Sequence, residues 1–198
     1  IVAHDGNFTR TAGDNRVIKK LDYQEIKKID VGSWFDSRFR GECPPILDDI
    51  LEEFCPNIYI DIELKTNITK NDLLPELLAK KILKMGDRAL KSVTVSSFNP
   101  FCLAEFKKLC PHIPTAIIWS ADKKVPFILR RNFGRILSHC DYLKPDKNQV
   151  SSFSRFSILE GRLLVPWTVD EPESAEKLIK IGCEGFISNR PQDLRIIR

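Results

Sequence analysis

The sequence lacks the short motifs that identify several large enzyme classes. It has no GxGxxG and no GxxxxGK[ST] loop, so nucleotide binding through such loops is unsupported. No GxSxG elbow is present either, which argues against a serine nucleophile. No run approaches the roughly 18 apolar residues of a transmembrane helix, and no signal peptide is visible. We therefore expect no transmembrane segment and no nucleotide-loop or serine-hydrolase chemistry.

Cysteine is present but never at a metal-ligand spacing. The six residues are Cys43, Cys55, Cys102, Cys110, Cys140 and Cys183. None forms a CxxC pair or a Cys/His ligand pattern, which argues against a zinc site. Three disulfides are numerically allowed, but a chain with 42% hydrophobic residues does not need them for stability. We therefore expect free, partly buried thiols and a reducing, cytoplasmic location.

Strong charge of one sign is also missing. The net charge is +4, which fits an anionic small-molecule substrate but carries little weight by itself. Lysines and arginines are spread along the chain rather than clustered with aromatic residues, so a nucleic-acid surface is not expected. The 198 residues begin at Ile1 without a methionine and inside an apparent strand, and we expect further residues upstream of it.

Two regions differ in pattern. Residues 1–57 are polar and turn-rich, with a capping box from Asp22 to Glu25 and helical apolar spacing over 46–54. From residue 58, strands and helices alternate. The predicted strands are 58–64, 92–96, 115–119, 141–144, 163–169 and 185–188. The predicted helices begin after Asn71 and then cover 100–109, 126–137, 153–160 and 172–181, the last ending at Gly182.

This alternation with short connections predicts a parallel sheet with helical crossovers. Six strand–helix units are fewer than the eight of a complete (β/α)8 barrel. The pattern alone is compatible with an open six-stranded sheet and with a barrel that lacks its first units.

Reactive residues of parallel α/β folds collect at the carboxyl ends of the strands. Asp61, Glu63 and Lys65 share one side of the first regular strand, and such charges favour a polar, occupied site. A carboxylate there could hold Mg²⁺ or Ca²⁺, and a lysine could neutralise a phosphoryl oxygen. The other interpretation is a Glu–Lys ion pair at a solvated strand end.

Two further residues occupy comparable positions. His4 follows an apolar run and could act as an acid or base, because imidazole exchanges a proton near neutral pH; it could equally be a surface histidine. Trp167 ends a strand and could form a pocket wall or belong to the core.

Taken together, seven segments resemble the glycerophosphodiester phosphodiesterase family. They are Val2-Ala3-His4-Asp5 with Arg10-Thr11, Val31–Phe35, Gly41-Glu42 with Pro45-Ile46-Leu47, Ile60–Lys65, Ser96-Ser97-Phe98-Asn99, Trp167-Thr168-Val169-Asp170, and Gly185–Pro191. They occur in the family's order over nearly the whole chain.

The resemblance implies an α/β fold, a (β/α)8 TIM barrel that is incomplete at its N-terminus and has a small insertion between strands 2 and 3. Residues 1–57 would be the end of the second barrel unit plus the insertion, and residues 58–198 barrel units three to eight. It also implies metal-dependent hydrolysis of glycerophosphodiesters to glycerol 3-phosphate and an alcohol, in lipid and glycerol metabolism. The resemblance assigns His4 as a catalytic histidine, Glu63 as a ligand of Mg²⁺ or Ca²⁺, Lys65 as a phosphate contact and Trp167 as a substrate-pocket wall.

Two departures from the family pattern leave alternatives open. The family's opening His-Arg-Gly, Pro-Glu-Asn-Thr and Glu-x-Asp motifs have no counterpart here, and the closing Thr-Asp-Arg-Pro reads Ser188-Asn189-Arg190-Pro191. One alternative is therefore an inactive barrel that serves as a binding or regulatory module. Another is lysophospholipase D-type cleavage, for which Phe8, Trp34, Phe35 and Phe39 would supply apolar surface. A missing first portion would leave a sheet edge open, and we expect unseen chain, a second copy in a homo-oligomer or the insertion to cover it.

Overall fold

The chain divides into two compact units, Ile1–Cys55 and Pro56–Arg198. The structure, a computed structural model, describes residues 1–66, 72–123, 130, 134–150 and 161–194. The helix predicted over 153–160, most of the helix predicted over 126–137, and the expected cap Asn71 lie outside the described residues.

The first unit is built from short helices and turns. Its helices are α1 (Thr9–Ala12), α2 (Tyr23–Ile26) and α3 (Leu47–Phe54), with 3₁₀ turns at Ile18–Lys20 and Ser37–Phe39. The predicted capping box is present, because Asp22 and Glu25 each accept a hydrogen bond from the other's backbone amide. Phe8, Ile26 and Ile29 form a small buried core. Because this core is small, local polar contacts such as the capping box contribute strongly to the conformation of the unit.

The second unit is a parallel sheet with helical crossovers, as the alternation predicted. Its strands are β1 (Ile60–Glu63), β2 (Val93–Ser97), β3 (Thr115–Trp119), β4 (Tyr142–Pro145) and β5 (Leu163–Leu164), in the order β1-β2-β3-β4-β5. Its helices are α4 (Leu74–Met85), α5 (Asp87–Leu90), α6 (Pro100–Leu109), α7 (Gly134–Ser138) and α8 (Pro172–Ile181), with 3₁₀ turns at Lys147–Gln149 and Pro191–Leu194. The predicted bounds of α6 and α8 are confirmed. Gly182 ends α8 at φ 105°, a left-handed conformation that glycine adopts without steric penalty.

The strand register separates an apolar face from a polar one. The face packed by helices carries side chains that are at most 2% exposed: Val93, Val95, Ile117, Leu143 and Leu164. On the opposite face, Glu63 is paired with Ser96 and Ser96 with Ala116, while Ile118 is paired with Lys144. Asp61 is on this polar face too, since alternate residues of a strand point the same way.

The sheet curves strongly, with the polar face on the concave side. β1 and β4 are three strands apart, which in a flat sheet is about 14 Å. An ion pair nevertheless joins the Lys144 ammonium on β4 to the Asp61 carboxylate on β1. The two side chains could not bridge a flat sheet, so the described strands form the arc of a barrel.

Of the last two predicted strands, one is shorter than expected and the other is absent. β5 covers only Leu163–Leu164 of the predicted 163–169, followed by a single bridge between Asp146 and Trp167. Pro166 has no amide hydrogen to donate, which interrupts the ladder. The predicted strand over 185–188 is wrong, because no strand is assigned there. Ile187 still donates to Pro166 O at 3.0 Å and accepts from Val169 N at 2.9 Å, so the segment lies alongside β5 without forming a regular ladder.

Two further expectations concern the whole chain. All six cysteines are free thiols, and all except Cys43 are buried, which confirms the prediction. Burial raises the pKa of Cys102 and of Cys183 to about 11, so both are protonated and unreactive at neutral pH.

Across the part of the chain that the structure describes, no helix is both long and apolar enough to cross a membrane.

Candidate active site at the carboxyl-terminal edge of the sheet

Glu63 and Lys65 lie where the sequence predicted, at the carboxyl end of β1. The Lys65 ammonium is 2.8 Å from Glu63 Oε1, and the side chains are 38% and 30% exposed, respectively. The pair is therefore accessible to a ligand, and a phosphoryl group could replace the carboxylate beside Lys65. The same geometry is that of an ion pair at a solvated strand end, so the ion pair alone does not distinguish the two interpretations.

The end of β2 holds the backbone that follows Glu63. Ser97 Oγ donates to Leu64 O at 2.7 Å, and Asn99 Nδ2 donates to Thr66 Oγ1 at 3.0 Å. Asn99 Oδ1 also accepts from Phe101 N and Cys102 N, capping α6. The segment thus supplies both a hydroxyl donor and a helix cap. Its bonds to Leu64 and Thr66 fix the backbone on both sides of Lys65.

Trp167 lies at the opposite end of the arc. Its ring packs edge-to-face against Phe98 with centroids 5.9 Å apart, although β2 and β5 are three strands apart in the sheet. Trp167 Nε1 donates to Lys144 O at 2.9 Å, which sets the orientation of the indole. Trp167 is half-buried, and these two contacts hold its ring on the concave side of the sheet.

Lys144 is a charged residue of this face that sequence reasoning did not select, and Asp61, which was noted beside Glu63 without a role of its own, is its partner. Lys144 is only 5% exposed, and its ammonium is paired with Asp61. A lysine inside a short apolar strand was the available signal, because burying an ammonium is costly without a partner. Its partner could not be identified from sequence, since Asp61 is 83 residues away and meets Lys144 only through the curvature.

Asn189 of the closing motif contacts a second carboxylate. Asp170 accepts from Asn189 N at 2.8 Å, from Asn189 Nδ2 at 3.2 Å and from Ser188 Oγ at 3.0 Å. The Asn189 backbone amide is the main cause that holds the pKa of Asp170 below its ordinary value, with the two side chains adding to it. An aspartate at position 189 would oppose Asp170 with like charge. The asparagine therefore donates to this carboxylate where an acid would repel it.

His4 belongs to the first unit, whereas Glu63, Lys65 and Trp167 all belong to the second. His4 is exposed, and its Nδ1 lies 2.7 Å from Asp5 Oδ1. Arg10 Nε donates to the other carboxylate oxygen of Asp5 at 2.9 Å. Hydrogen bonds from His4 and then Arg10 lower the pKa of Asp5. A carboxylate on Nδ1 orients the imidazole and leaves Nε2 for proton transfer.

The described residues do not by themselves form the Mg²⁺ or Ca²⁺ site that the resemblance implies. Among them, no three His, Cys, Asp or Glu side chains come close enough to hold a metal ion. Glu63 offers one carboxylate, but its nearest charged neighbour is Lys65. A divalent cation would therefore need ligands beyond those that the described residues bring together.

Comparison with known proteins identifies the family. A profile described as the glycerophosphoryl diester phosphodiesterase family matches residues 1–193. A glycerophosphodiester phosphodiesterase of Caldanaerobacter subterraneus is 29% identical over 195 residues, covering 98% of this chain and 78% of the relative. One from Bacillus subtilis is 26% identical over 203 residues, covering 96% of this chain and 69% of the relative.

Solved structures show the same fold. A phosphodiesterase from Oleispira antarctica, in complex with the product sn-glycerol-3-phosphate, superposes with a TM-score of 0.73 at 22% identity, covering 98% of this chain and 77% of that one. A glycerophosphodiester phosphodiesterase from Agrobacterium tumefaciens gives a TM-score of 0.74 at 19% identity, covering 98% and 80%. The α/β barrel prediction is thus confirmed, with the described strands forming part of the barrel. The chain belongs to the glycerophosphoryl diester phosphodiesterase family.

Proposed function

We propose that this chain hydrolyses glycerophosphodiesters to glycerol 3-phosphate and an alcohol at the carboxyl-terminal edge of its sheet. The observation that carries the proposal is the family match over residues 1–193 together with Glu63 and Lys65 at the end of β1. The Oleispira antarctica structure that shares the fold contains the product sn-glycerol-3-phosphate. We further propose that residues 1–57 are the end of a second barrel unit plus an insertion.

The proposed roles come from the family resemblance, and the local contacts of each side chain are compatible with them. Lys65 contacts a phosphoryl oxygen, because its ammonium is accessible and already holds a carboxylate. Trp167 forms an apolar wall against the glycerol or alcohol portion, supported by its edge-to-face contact with Phe98. His4 transfers a proton through Nε2, since Asp5 engages Nδ1. Glu63 is proposed as one carboxylate of a Mg²⁺ or Ca²⁺ site.

Metal dependence rests on the family resemblance. A divalent cation would neutralise phosphoryl oxygens and make the phosphorus a better electrophile. Because the described residues bring together no three-carboxylate cluster, Glu63 would contribute to such a site without completing it. The requirement is therefore a question for experiment.

The decisive experiment measures glycerol 3-phosphate release from glycerophosphocholine with Mg²⁺, with Ca²⁺ and with EDTA. We expect metal-dependent turnover, and Glu63→Gln and Lys65→Met should each lower kcat/KM by about 100-fold. Glu76→Gln and Lys80→Met are matched controls, because both residues are exposed on α4, and they should leave turnover unchanged. All variants should retain the circular dichroism spectrum of the parent.

A second candidate function, a non-catalytic binding or regulatory module, is favoured by the lack of a metal-holding cluster among the described residues. It predicts no release of glycerol 3-phosphate with either metal, together with measurable binding of glycerol 3-phosphate. Turnover that EDTA abolishes and that Glu63→Gln removes would rule this candidate out.

Cleavage of lysophospholipids is favoured by three exposed rings of the first unit. Trp34, Phe35 and Phe39 are 51%, 71% and 41% exposed, and the Phe35 ring contacts the other two. Such a surface could hold an acyl chain. Replacing all three rings with alanine should then lower turnover of lysophosphatidylcholine while leaving glycerophosphocholine turnover unchanged. Equal effects on both substrates would count against this specificity.

A further inference from the structure

The concave face contains a buried cation that the proposed reaction has not used. Lys144 is 5% exposed, whereas the side chain of its partner Asp61 is 42% exposed. Solvent therefore reaches this ion pair from the carboxylate side. An ammonium in this position needs an anion beside it, because an unpaired buried charge is strongly destabilising.

The ion pair is connected to two of the elements that carry residues proposed to contact the substrate. Asp61 is two residues before Glu63 on the same face of β1. The Lys144 carbonyl accepts the indole hydrogen bond of Trp167 at 2.9 Å. Lys144 is thus connected through its side chain to the strand of Glu63 and through its backbone to the aromatic wall.

A buried hydroxyl on the same face supports a ligand at this place. Ser96 is paired in register with Glu63 and is 0% exposed. Its Oγ has no hydrogen-bond partner among the residues that the structure describes. Buried hydroxyls are nearly always hydrogen-bonded, so a group without a partner points to a missing oxygen atom, from water or from a ligand. Both Ser96 and Lys144 are donors, which suits an oxyanion.

We propose that Lys144 is a second phosphate-binding cation, and that Asp61 occupies its ammonium until a phosphoryl group displaces it. A phosphoryl oxygen makes the same charge-assisted hydrogen bond as the carboxylate that it replaces. The displaced carboxylate is half exposed and can turn into solvent. The ligand class is a phosphate monoester or diester, and the step is non-covalent. This inference rests on the proposed function for the identity of the substrate.

A competing explanation is that the ion pair only stabilises the barrel. The two explanations predict opposite signs for one substitution. If Asp61 competes with the ligand, Asp61→Asn frees the ammonium and strengthens phosphate binding. If the pair is only structural, Asp61→Asn and Lys144→Met break the same interaction and change binding in the same direction.

The test is an NMR titration of the full chain with sn-glycerol 3-phosphate and, separately, inorganic phosphate, in the presence of EDTA. The Trp167 indole resonance is the reporter, because its hydrogen bond ends on the Lys144 carbonyl; Trp167→Phe assigns the signal. We expect Lys144→Met to raise Kd by about tenfold or more, Lys144→Arg to retain most of the affinity, and Asp61→Asn to lower Kd about threefold.

Controls separate folding from binding. Lys91 and Asp87 form an exposed ion pair on α5 at 2.8 Å, so Lys91→Met and Asp87→Asn should leave Kd unchanged. If Lys144→Met fails to fold because Asp61 is left unpaired, the double variant Asp61→Asn/Lys144→Met removes both charges and should bind as weakly as expected for Lys144→Met.

Three outcomes would overturn the inference: no binding to the parent chain, unchanged Kd in the double variant, or weaker binding in Asp61→Asn. Turnover of glycerophosphocholine is measured separately. Turnover without any effect of Lys144 on binding refutes only this inference. Lys144-dependent phosphate binding without turnover refutes only the proposed hydrolysis.

Discussion

The two units of this chain are stabilised in different ways. In the first unit, carboxylates organise short turns: Asp30 accepts from the backbone amides of Gly32, Ser33 and Gly41 and from the Ser33 hydroxyl. In the second unit, one face of the parallel sheet consists of buried aliphatic side chains, and helices pack against this face. The first unit therefore depends on local polar geometry, and the second on apolar burial at large sequence separation.

This difference indicates where each unit is vulnerable. A turn organised by one carboxylate, such as Asp30, loses its conformation when that carboxylate or a glycine bonded to it is replaced. A packed sheet fails when a buried ring or aliphatic side chain is removed. Four experiments test the contrast, from the largest expected effect to the smallest.

Phe106→Ala should give the largest loss of stability. Phe106 on α6 is fully buried, and its removal should lower the free energy of unfolding by about 3–5 kcal/mol. Phe101 on the same helix is 51% exposed, so Phe101→Ala is the matched control and should change stability by less than about 1 kcal/mol. Urea unfolding followed by circular dichroism measures both. Similar losses for the two variants would contradict packing of α6 on the sheet.

Gly32→Ala should disrupt the first unit selectively. A Cβ at Gly32 would lie 2.0 Å from Phe39 O, so the backbone of the 30–42 loop must move, at about 3 kcal/mol. Gly6→Ala is the control, because nothing lies within 4 Å of its Cβ position. Amide hydrogen exchange, read separately for residues 1–55 and for the strands, should show faster exchange only in the first unit. Uniform acceleration across the chain would mean that the two units unfold together.

Helix caps in the two units should contribute different amounts to the free energy of unfolding. Asn99→Ala removes the cap of α6 and the bond to Thr66 from a residue that is 3% exposed, at about 2–3 kcal/mol. Asp22→Ala removes one exposed capping box, at about 1 kcal/mol. Thermal unfolding compares the variants with the parent chain. A larger effect at Asp22 would show that α2 matters more to the first unit than its small core indicates.

Acid should loosen the first unit through Asp30. Hydrogen bonds from the Ser33 side chain, then from the Ser33 and Gly41 amides, hold the pKa of Asp30 well below its ordinary range. A carboxyl with a lowered folded-state pKa stabilises the fold above its unfolded pKa of about 3.9 and loses this contribution as pH falls further. The amide resonances of Gly32 and Gly41 should therefore begin to broaden below about pH 4, as local unfolding becomes more frequent, and should shift only as pH approaches the much lower folded-state pKa.

Asp30→Asn supplies the comparison for the acid experiment. It removes the titrating group, so the pH dependence of these two amides should flatten. Asp49→Asn, at an exposed carboxylate of α3, should retain the parent behaviour. An unchanged pH profile in Asp30→Asn would assign the acid sensitivity to another carboxyl, such as Asp5, Asp14 or Asp36, whose pKa values are also lowered.

Prediction from sequence succeeded where interactions among a few neighbouring residues determine the local conformation. The Asp22–Glu25 capping box, the bounds of α6 and α8, and the left-handed stop at Gly182 all depend on nearest neighbours along the chain. Prediction failed over 185–188, because a strand needs a partner that continues to pair. Pro166 ended the ladder beside it, although apolar periodicity in both segments favoured a strand.

Part of the candidate site could also be predicted from sequence. Glu63, Lys65 and Trp167 could be selected because a parallel sheet places the ends of its strands at one edge. Lys144 and Asp61 could not be paired from sequence, since nothing local relates residues on β4 and β1. The hydrogen bond from Asn189 to Asp170 could not be predicted from sequence either, because it forms only where the closing segment lies beside the residues after β5.

The sequence by itself determined the alternation of strands and helices, the polar face of the first strand, and the edge at which reactive side chains collect. These properties follow from side-chain periodicity and from local hydrogen bonding. Only the tertiary structure decided which charges meet, because the curvature of the sheet brings β4 to β1 and Trp167 to Phe98. Contacts across three strands depend on how far the whole sheet bends, and that is a property of the packed molecule.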